Sequence, residues 1–266
     1  RSRGTFRMAR TYLDAGLAPE ALRYYFAAKS SGGVDDLDLN LADFSARVNS
    51  DLVGKFVNLA SRCAGFIEKR FGGQLAAALP DPDQYARFLA ALEPVREAYE
   101  RNDPASAIRQ VMALADEANK YIDAVKPWVI AKDAAREAEL QSVCTQGLNL
   151  FRVLAAALAP ILPRTSAQAA AFLGAPVLAW ADLESPLLAR AIQPYTPLFT
   201  RIDPKQIDAM IDASKDTLAA PAAATAPATD TPAAAAAPAA TPTVGIDDFA
   251  RLDLRIGKVL ECGFVE

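Results

Sequence analysis

Residues 41–71, LADFSARVNSDLVGKFVNLASRCAGFIEKRF, contain no proline and carry Leu41, Phe44, Val48, Leu52, Phe56, Leu59, Cys63 and Phe66 at steps of three or four. This spacing predicts one long amphipathic helix with a continuous buried face, around which other helices must gather. Asp51, Lys55, Asn58 and Arg62 stand three or four apart beside that stripe and share a neighbouring face. On residue types alone that face reads in two ways. It is a solvated polar surface, or it is a set of donors and acceptors in which an amide and a guanidinium one turn apart address base edges.

Proline and glycine divide the rest of the chain into pieces of similar design. Thr5 is a candidate cap for a helix running to about Asp14 and closed by Gly16, and Pro19 opens a second helix in which Leu22, Tyr25 and Phe26 form the apolar face, ended by Gly32 and Gly33. Asn40 is the expected cap of the long helix. Asp81 before Pro82 and Asp103 before Pro104 repeat one arrangement: the carboxylate takes the free N–H groups and the proline takes the first helical position. The first opens a helix expected to reach about Arg101. The second carries Ile108, Val111, Met112, Ala115, Ala118 and Ile122 inward and ends near Val125, because Pro127 cannot continue it.

Residues 133–158 give another stripe, Leu140, Val143, Cys144, Leu148, Phe151 and Ala155, stopped by Pro160 and Pro163. Residues 164–202 read as less regular, and Asp203–Pro204 starts a last helix with Ile207, Met210 and Ile211 inward. The expected fold is all-α: an antiparallel helix bundle.

At 266 residues and 52% hydrophobic, the chain can bury a sizeable core. Its net charge of −4 supplies no global field to attract nucleic acid, so RNA contact would need a local patch. Arg1, Arg3, Arg7 and Arg10, with no acid before Asp14, are such a patch by sequence. There is no histidine, which removes the commonest general base and metal ligand, and no hydrolase triad or metal site is expected. Cys63, Cys144 and Cys262 are odd in number and far apart, which fits a reducing cytoplasmic setting, with Cys63 and Cys144 as core residues. No signal peptide opens the chain and no apolar run reaches membrane-spanning length, so neither secretion nor a membrane contact is expected.

Residues 220–243 consist of thirteen Ala, five Pro, five Thr and one Asp. The spaced prolines prevent an alanine helix, and the segment is expected to be a tether reaching up to roughly 70 Å. Beyond it Leu252, Leu254, Ile256 and Val259 alternate as in a strand, too short to close a sheet. Both ends look cut, so the chain is expected to be part of a longer protein.

RSRGTF, LRYYFAAK, DDLDLN, VNLASR, KPWVIAK, LNLFRVLAAALAPILP and RIDPKQI, in that order, resemble the C-terminal half of bacterial methionine–tRNA ligases, which are class I aminoacyl-tRNA synthetases. IDDFARLDLRIGKV resembles the start of the OB-fold tRNA-binding domain that many members carry behind a linker. The resemblance implies an organisation into residues 1–40, the end of the KMSKS loop and connecting helices; 41–181, the anticodon-binding bundle; and 182–218, a return segment and helix. Residues 219–243 follow as the linker and 244–266 as a truncated OB-fold start.

It further implies that Arg1 and Ser2 are the last two positions of the KMSKS loop, which stabilises the ATP triphosphate, with Mg2+, in the complete enzyme; Arg1 stands where the family usually has lysine. The rest of that motif and the HIGH-motif catalytic domain are not within these residues, so the fragment alone is expected to be inactive and to bind no cofactor. Asn58 and Arg62 match the family's anticodon-reading pair, Pro127 and Trp128 its stacking aromatic and the proline before it, and Asp123 an acidic position nearby. Gly54 departs from the family, which often has a further polar side chain there. The implied partners are the anticodon loop of the methionine tRNA, the N-terminal catalytic domain and, in the complete protein only, a second copy. Another class I synthetase and a non-catalytic helical scaffold are the alternatives.

Overall fold

The computed structural model describes residues 9–33, 37–175 and 180–219, with side chains described as far as residue 213. Arg1, Ser2, Thr5, the Ala/Pro tether and the strand-like tail lie outside the described residues. The chain divides into two units, Arg1–Pro221 and Ala222–Glu266, and everything described belongs to the first.

Short helices α1 (Ala9–Asp14) and α2 (Pro19–Ala27) lead into the long rod, whose parts are α3 (Leu41–Arg47), a π-helical segment (Val48–Val57) and α4 (Asn58–Phe71). Asn40 caps the rod, its side chain accepting from the Asp43 amide at 3.0 Å. The rod is continuous as expected, but its middle is not an ordinary α-helix. Phe44, Val48, Leu52, Phe56 and Ala60, all buried, follow one another at steps of four. An α-helix repeats every 3.6 residues, so such a row drifts by about 40° per step, and the wider i→i+5 turn keeps it facing the core. In α2 Tyr24 and Tyr25 are both fully buried, while Leu22 and Phe26 lie only part-buried.

After Gly72 and Gly73 the chain runs back through α5 (Pro82–Ala90) and α6 (Leu92–Glu100), then forward again through α7 (Pro104–Val125). Asp81 and Asp103 cap as expected, accepting from the amides of Gln84 and Ser106 at 2.8 and 2.9 Å. The single helix expected from Pro82 to Arg101 is two, broken at Ala91. Pro94 has no N–H to offer the Ala90 carbonyl, so the helix stops and restarts with Pro94 in the tolerated first turn.

A four-residue helix α8 (Pro127–Ile130) and a 3₁₀ turn at Ala134–Arg136 connect to α9 (Glu137–Leu158). Here the stripe reading falls short: every residue from Val143 to Leu158 is buried, so α9 is the central helix, not one of the outer staves. The α4, α7 and α5 helices pack on it, as does α10 (Pro163–Leu173), which stands in the region expected to be irregular. Pro163 starts this helix instead of only stopping the previous one. Its inner face is built of small residues, Ala169 and Ala170 with Phe172 and Leu173, which hydrophobic spacing marks weakly.

Being buried all round, α9 must satisfy its polar side chains internally. The Asn149 amide donates to the Leu187 carbonyl and accepts from the Leu187 N–H, and Arg152 donates to the carbonyls of Ser185 and Asp182. These bonds tie down a 3₁₀ turn (Trp180–Glu184) and the extended segment after it, which leads to α11 (Pro204–Ala219). Among the described residues no strand is present beyond an isolated bridge between Gln74 and Ala191.

Candidate nucleic-acid interface

Two helices carry the candidate side chains, and they meet in register. Rod, α5–α6 and α7 run up, down and up, so α4 and α7 are parallel. Lys55 pairs with Asp116 at 2.9 Å, the Asn58 side-chain amide donates to the Asn119 oxygen at 3.4 Å, and Arg62 pairs with Asp123 at 2.5 Å. Each rung joins residues 61 apart in sequence, because 55, 58 and 62 share their spacing with 116, 119 and 123. Asn119 also donates to the carbonyls of Lys55 at 3.0 Å and Ala115 at 2.8 Å, so it is held by backbone on both helices.

The indole is delivered by a sharp turn at the end of α7. Lys126 sits in the left-handed region (φ 54°, ψ 66°) directly before Pro127, a conformation that non-glycine residues and pre-proline residues both resist. Pro127 and Ile130 are buried under this turn, and Trp128 and Val129 are left outside, 39% and 47% exposed. Arg62 reaches over the Trp128 ring, its guanidinium carbon 4.7 Å from the ring centre. The Arg62 side chain is 22% exposed and that of Asp123 61% exposed, so the pair lies at the surface. One face of the indole therefore stacks on a cation held by a carboxylate. Beside Arg62 a surface hollow of about 410 Å³ is lined by Ser61, Gly65, Phe66, Lys69 and Arg70.

Of the sequence-predicted residues, Arg62 touches both Asp123 and Trp128, Pro127 is buried in the turn that carries the indole, and Asn58 is bonded to Asn119 of α7 one turn away. Asp51 and Lys55, on the same polar stripe, do structural work: the Tyr24 hydroxyl donates to Asp51 at 2.9 Å and Lys55 makes the first rung. Burial, with Asp51 beside it, pushes the Tyr24 phenol far above its ordinary value, so that bond keeps its proton. Arg1 and Ser2 lie outside the described residues. Asn119 and Asp116 were not expected in the site. The signal that would have found them is the repeated three-then-four spacing on α7, which mirrors the rod.

Chemically, a half-exposed indole is a stacking platform for an unpaired base, and an amide and a guanidinium beside it can bond base edges. Among the described residues no group of three or more His, Cys, Asp or Glu is arranged to hold a metal.

Residues 1–64 match the family model described as tRNA synthetases class I (M), and residues 76–210, half of the chain, match the anticodon binding domain of methionyl tRNA ligase. The methionine–tRNA ligase of Xanthomonas campestris pv. campestris (strain B100) is 73% identical over 277 residues, covering 100% of this chain and 40% of the relative. That of Xanthomonas euvesicatoria pv. vesicatoria (strain 85-10) is 72% identical over 280 residues, with the same coverage. The chain thus spans 40% of the length of these curated relatives. Among solved structures, Mycobacterium tuberculosis methionyl-tRNA synthetase in complex with methionyl-adenylate superposes with a TM-score of 0.65 at 23% identity, over 71% of this chain and 39% of that one. The fold is therefore the one expected. The chain belongs to the family defined by the anticodon-binding domain of methionyl-tRNA ligases.

Proposed function

We propose that this chain is the anticodon-reading part of a methionine–tRNA ligase, whose complete form attaches methionine to its tRNA with ATP and Mg2+. Asn58, Arg62, Asp123, Pro127 and Trp128 are the reading site. The observation that carries this is the Arg62 guanidinium stacked on a half-exposed Trp128 ring, within a domain whose family is named for anticodon binding. A base splayed from the anticodon loop stacks on the open face of the indole. Arg62 and Asn58, already held by Asp123 and Asn119, then meet neighbouring base edges at little cost in side-chain ordering.

In the complete protein Arg1 and Ser2 belong to the loop that holds the triphosphate; they lie outside the described residues. The partners of this part are the anticodon loop and the N-terminal catalytic domain, and pairing into a homodimer belongs to the complete protein. The proposed location is the cytoplasm; among the described residues no helix is long and apolar enough to cross a membrane.

The test is binding of the full-length protein to a stem-loop bearing CAU and to one with a scrambled loop, at fixed salt. Trp128→Ala should cost about 1–3 kcal/mol on the CAU loop and less on the scrambled one, whose bases Asn58 and Arg62 do not fix against the ring. Arg62→Ala should narrow the difference between the two loops. Equal affinity of the unmodified protein for both loops would overturn the reading.

A further inference from the structure

The ladder between α4 and α7 has a fourth rung that leaves α7 and reaches the turn carrying the indole. Arg70, in the last turn of α4, donates from one terminal nitrogen to the Ala131 carbonyl at 2.8 Å, again 61 residues on. Its other terminal nitrogen pairs with Glu137 at 3.0 Å. Ala131 follows α8 and Glu137 opens α9, so one planar fork spans three elements. The Ala131 peptide is rigidly part of the Trp128 turn: its N–H bonds the Pro127 carbonyl at 2.9 Å, and the next amide, of Lys132, bonds the Val129 carbonyl at 3.1 Å. Holding that carbonyl holds the platform. At its other end α8 is fixed by the Lys126 bend and by buried Pro127 and Ile130.

We infer that Arg70 is a positioning residue for anticodon reading: it locks the Trp128 turn to α4, the same helix that presents Arg62, and so sets the gap between the indole and its reading partners. The inference rests on the reading proposed above and adds a residue that touches no base. Its chemistry requires arginine. A lysine at this position keeps the charge, but a single ammonium on a flexible stem cannot hold a backbone carbonyl and a carboxylate in two fixed directions at once. A residue serving only to attract phosphate would tolerate that exchange. A spacer would not.

The experiment compares Arg70→Lys, Arg70→Ala and Glu137→Gln in the full-length protein. The readouts are KM and kcat for tRNA aminoacylation, methionine-dependent ATP–pyrophosphate exchange without tRNA, and affinity for CAU and scrambled stem-loops at several salt concentrations. Both Arg70 variants should raise KM for tRNA about tenfold and weaken the CAU loop equally, as expected for losing a charge-assisted bond. Pyrophosphate exchange and the salt slope of Arg70→Lys should match the unmodified protein. Glu137→Gln, which leaves Arg70 and its bond to Ala131 in place, should give a smaller loss in the same direction.

Arg70→Lys behaving as the unmodified protein, with Arg70→Ala weaker and its salt slope reduced by about one, would make Arg70 a phosphate contact and overturn the inference. So would affinities unchanged in all three variants. Failure of the unmodified protein to prefer CAU would instead sink the reading on which the inference rests.

Discussion

Single atoms decide how closely the two main helices approach. A Cβ added to Gly147 of α9 would stand 2.5 Å from the Cys63 sulfur of α4 and 3.1 Å from Ile122 Cδ1, so this glycine is the notch that receives the Cys63 thiol. Gly147→Ala should therefore destabilise the chain by about 1–3 kcal/mol by overpacking, although alanine is the better helix former. Cys63→Ala in the same chain should restore much of that loss, since it removes the atom in the way; a double-mutant cycle in denaturant measures the coupling. Simple addition of the two single losses would mean that the strain lies elsewhere. The sequence showed Cys63 and Cys144 as core residues, and both are fully buried. It could not show the notch, because a glycine inside an apolar helix looks the same whether it makes room for a neighbour or merely lacks a side chain.

The elements most legible in the sequence were those with local chemistry at their starts. Asn40, Asp81 and Asp103 each announce a helix by a side chain that binds an amide three residues on, and that bond needs nothing from the rest of the fold. The break at Ala91, the α10 helix and the buried circumference of α9 were not legible in the same way. The first depends on a proline three residues into a restart, and the other two on what neighbouring helices cover. The site divides along the same line. Asn58 and Arg62 share a visible helical face, but only the fold brings α7 alongside with matched spacing.

Lys126 is the joint between these levels, since its left-handed bend is what turns Trp128 back toward Arg62. Lys126→Val puts a β-branched side chain where one is rarely accommodated and should cost about 1–2 kcal/mol of stability. It should also weaken CAU binding in the full-length protein, whereas Lys126→Gly should keep both. A valine variant with unaltered loop affinity would show that the turn is held by Pro127 and Ile130 alone.

At the scale of the whole described unit, the extended segment after α10 stitches the bundle from end to end. It begins at Arg152 and Asn149 of α9, pairs with residues beyond the rod through Ala189, Arg190 and Ile192, and finishes at Asn49, which exchanges two hydrogen bonds with Ile202. Asn49 lies in the π-helical segment, and that segment ends at Val57, directly before Asn58. The strap and the proposed reading face are thus attached to the same stretch of rod from opposite directions. A wide helical turn of this kind persists only when its surroundings hold it, and here α2 holds Asp51, α7 holds Lys55 and the strap holds Asn49. Asn149→Ala removes both partners of the Leu187 peptide in a buried setting and should cost about 2 kcal/mol or more. Hydrogen exchange should then quicken over residues 182–192 while α7 and α8 keep their protection. In the full-length protein the same variant should bind the CAU loop normally, since Asn58, Arg62 and Trp128 keep their partners. Exchange that quickened evenly from α1 to α11 would show instead that strap and bundle melt as one unit, and loss of loop binding would carry the same meaning.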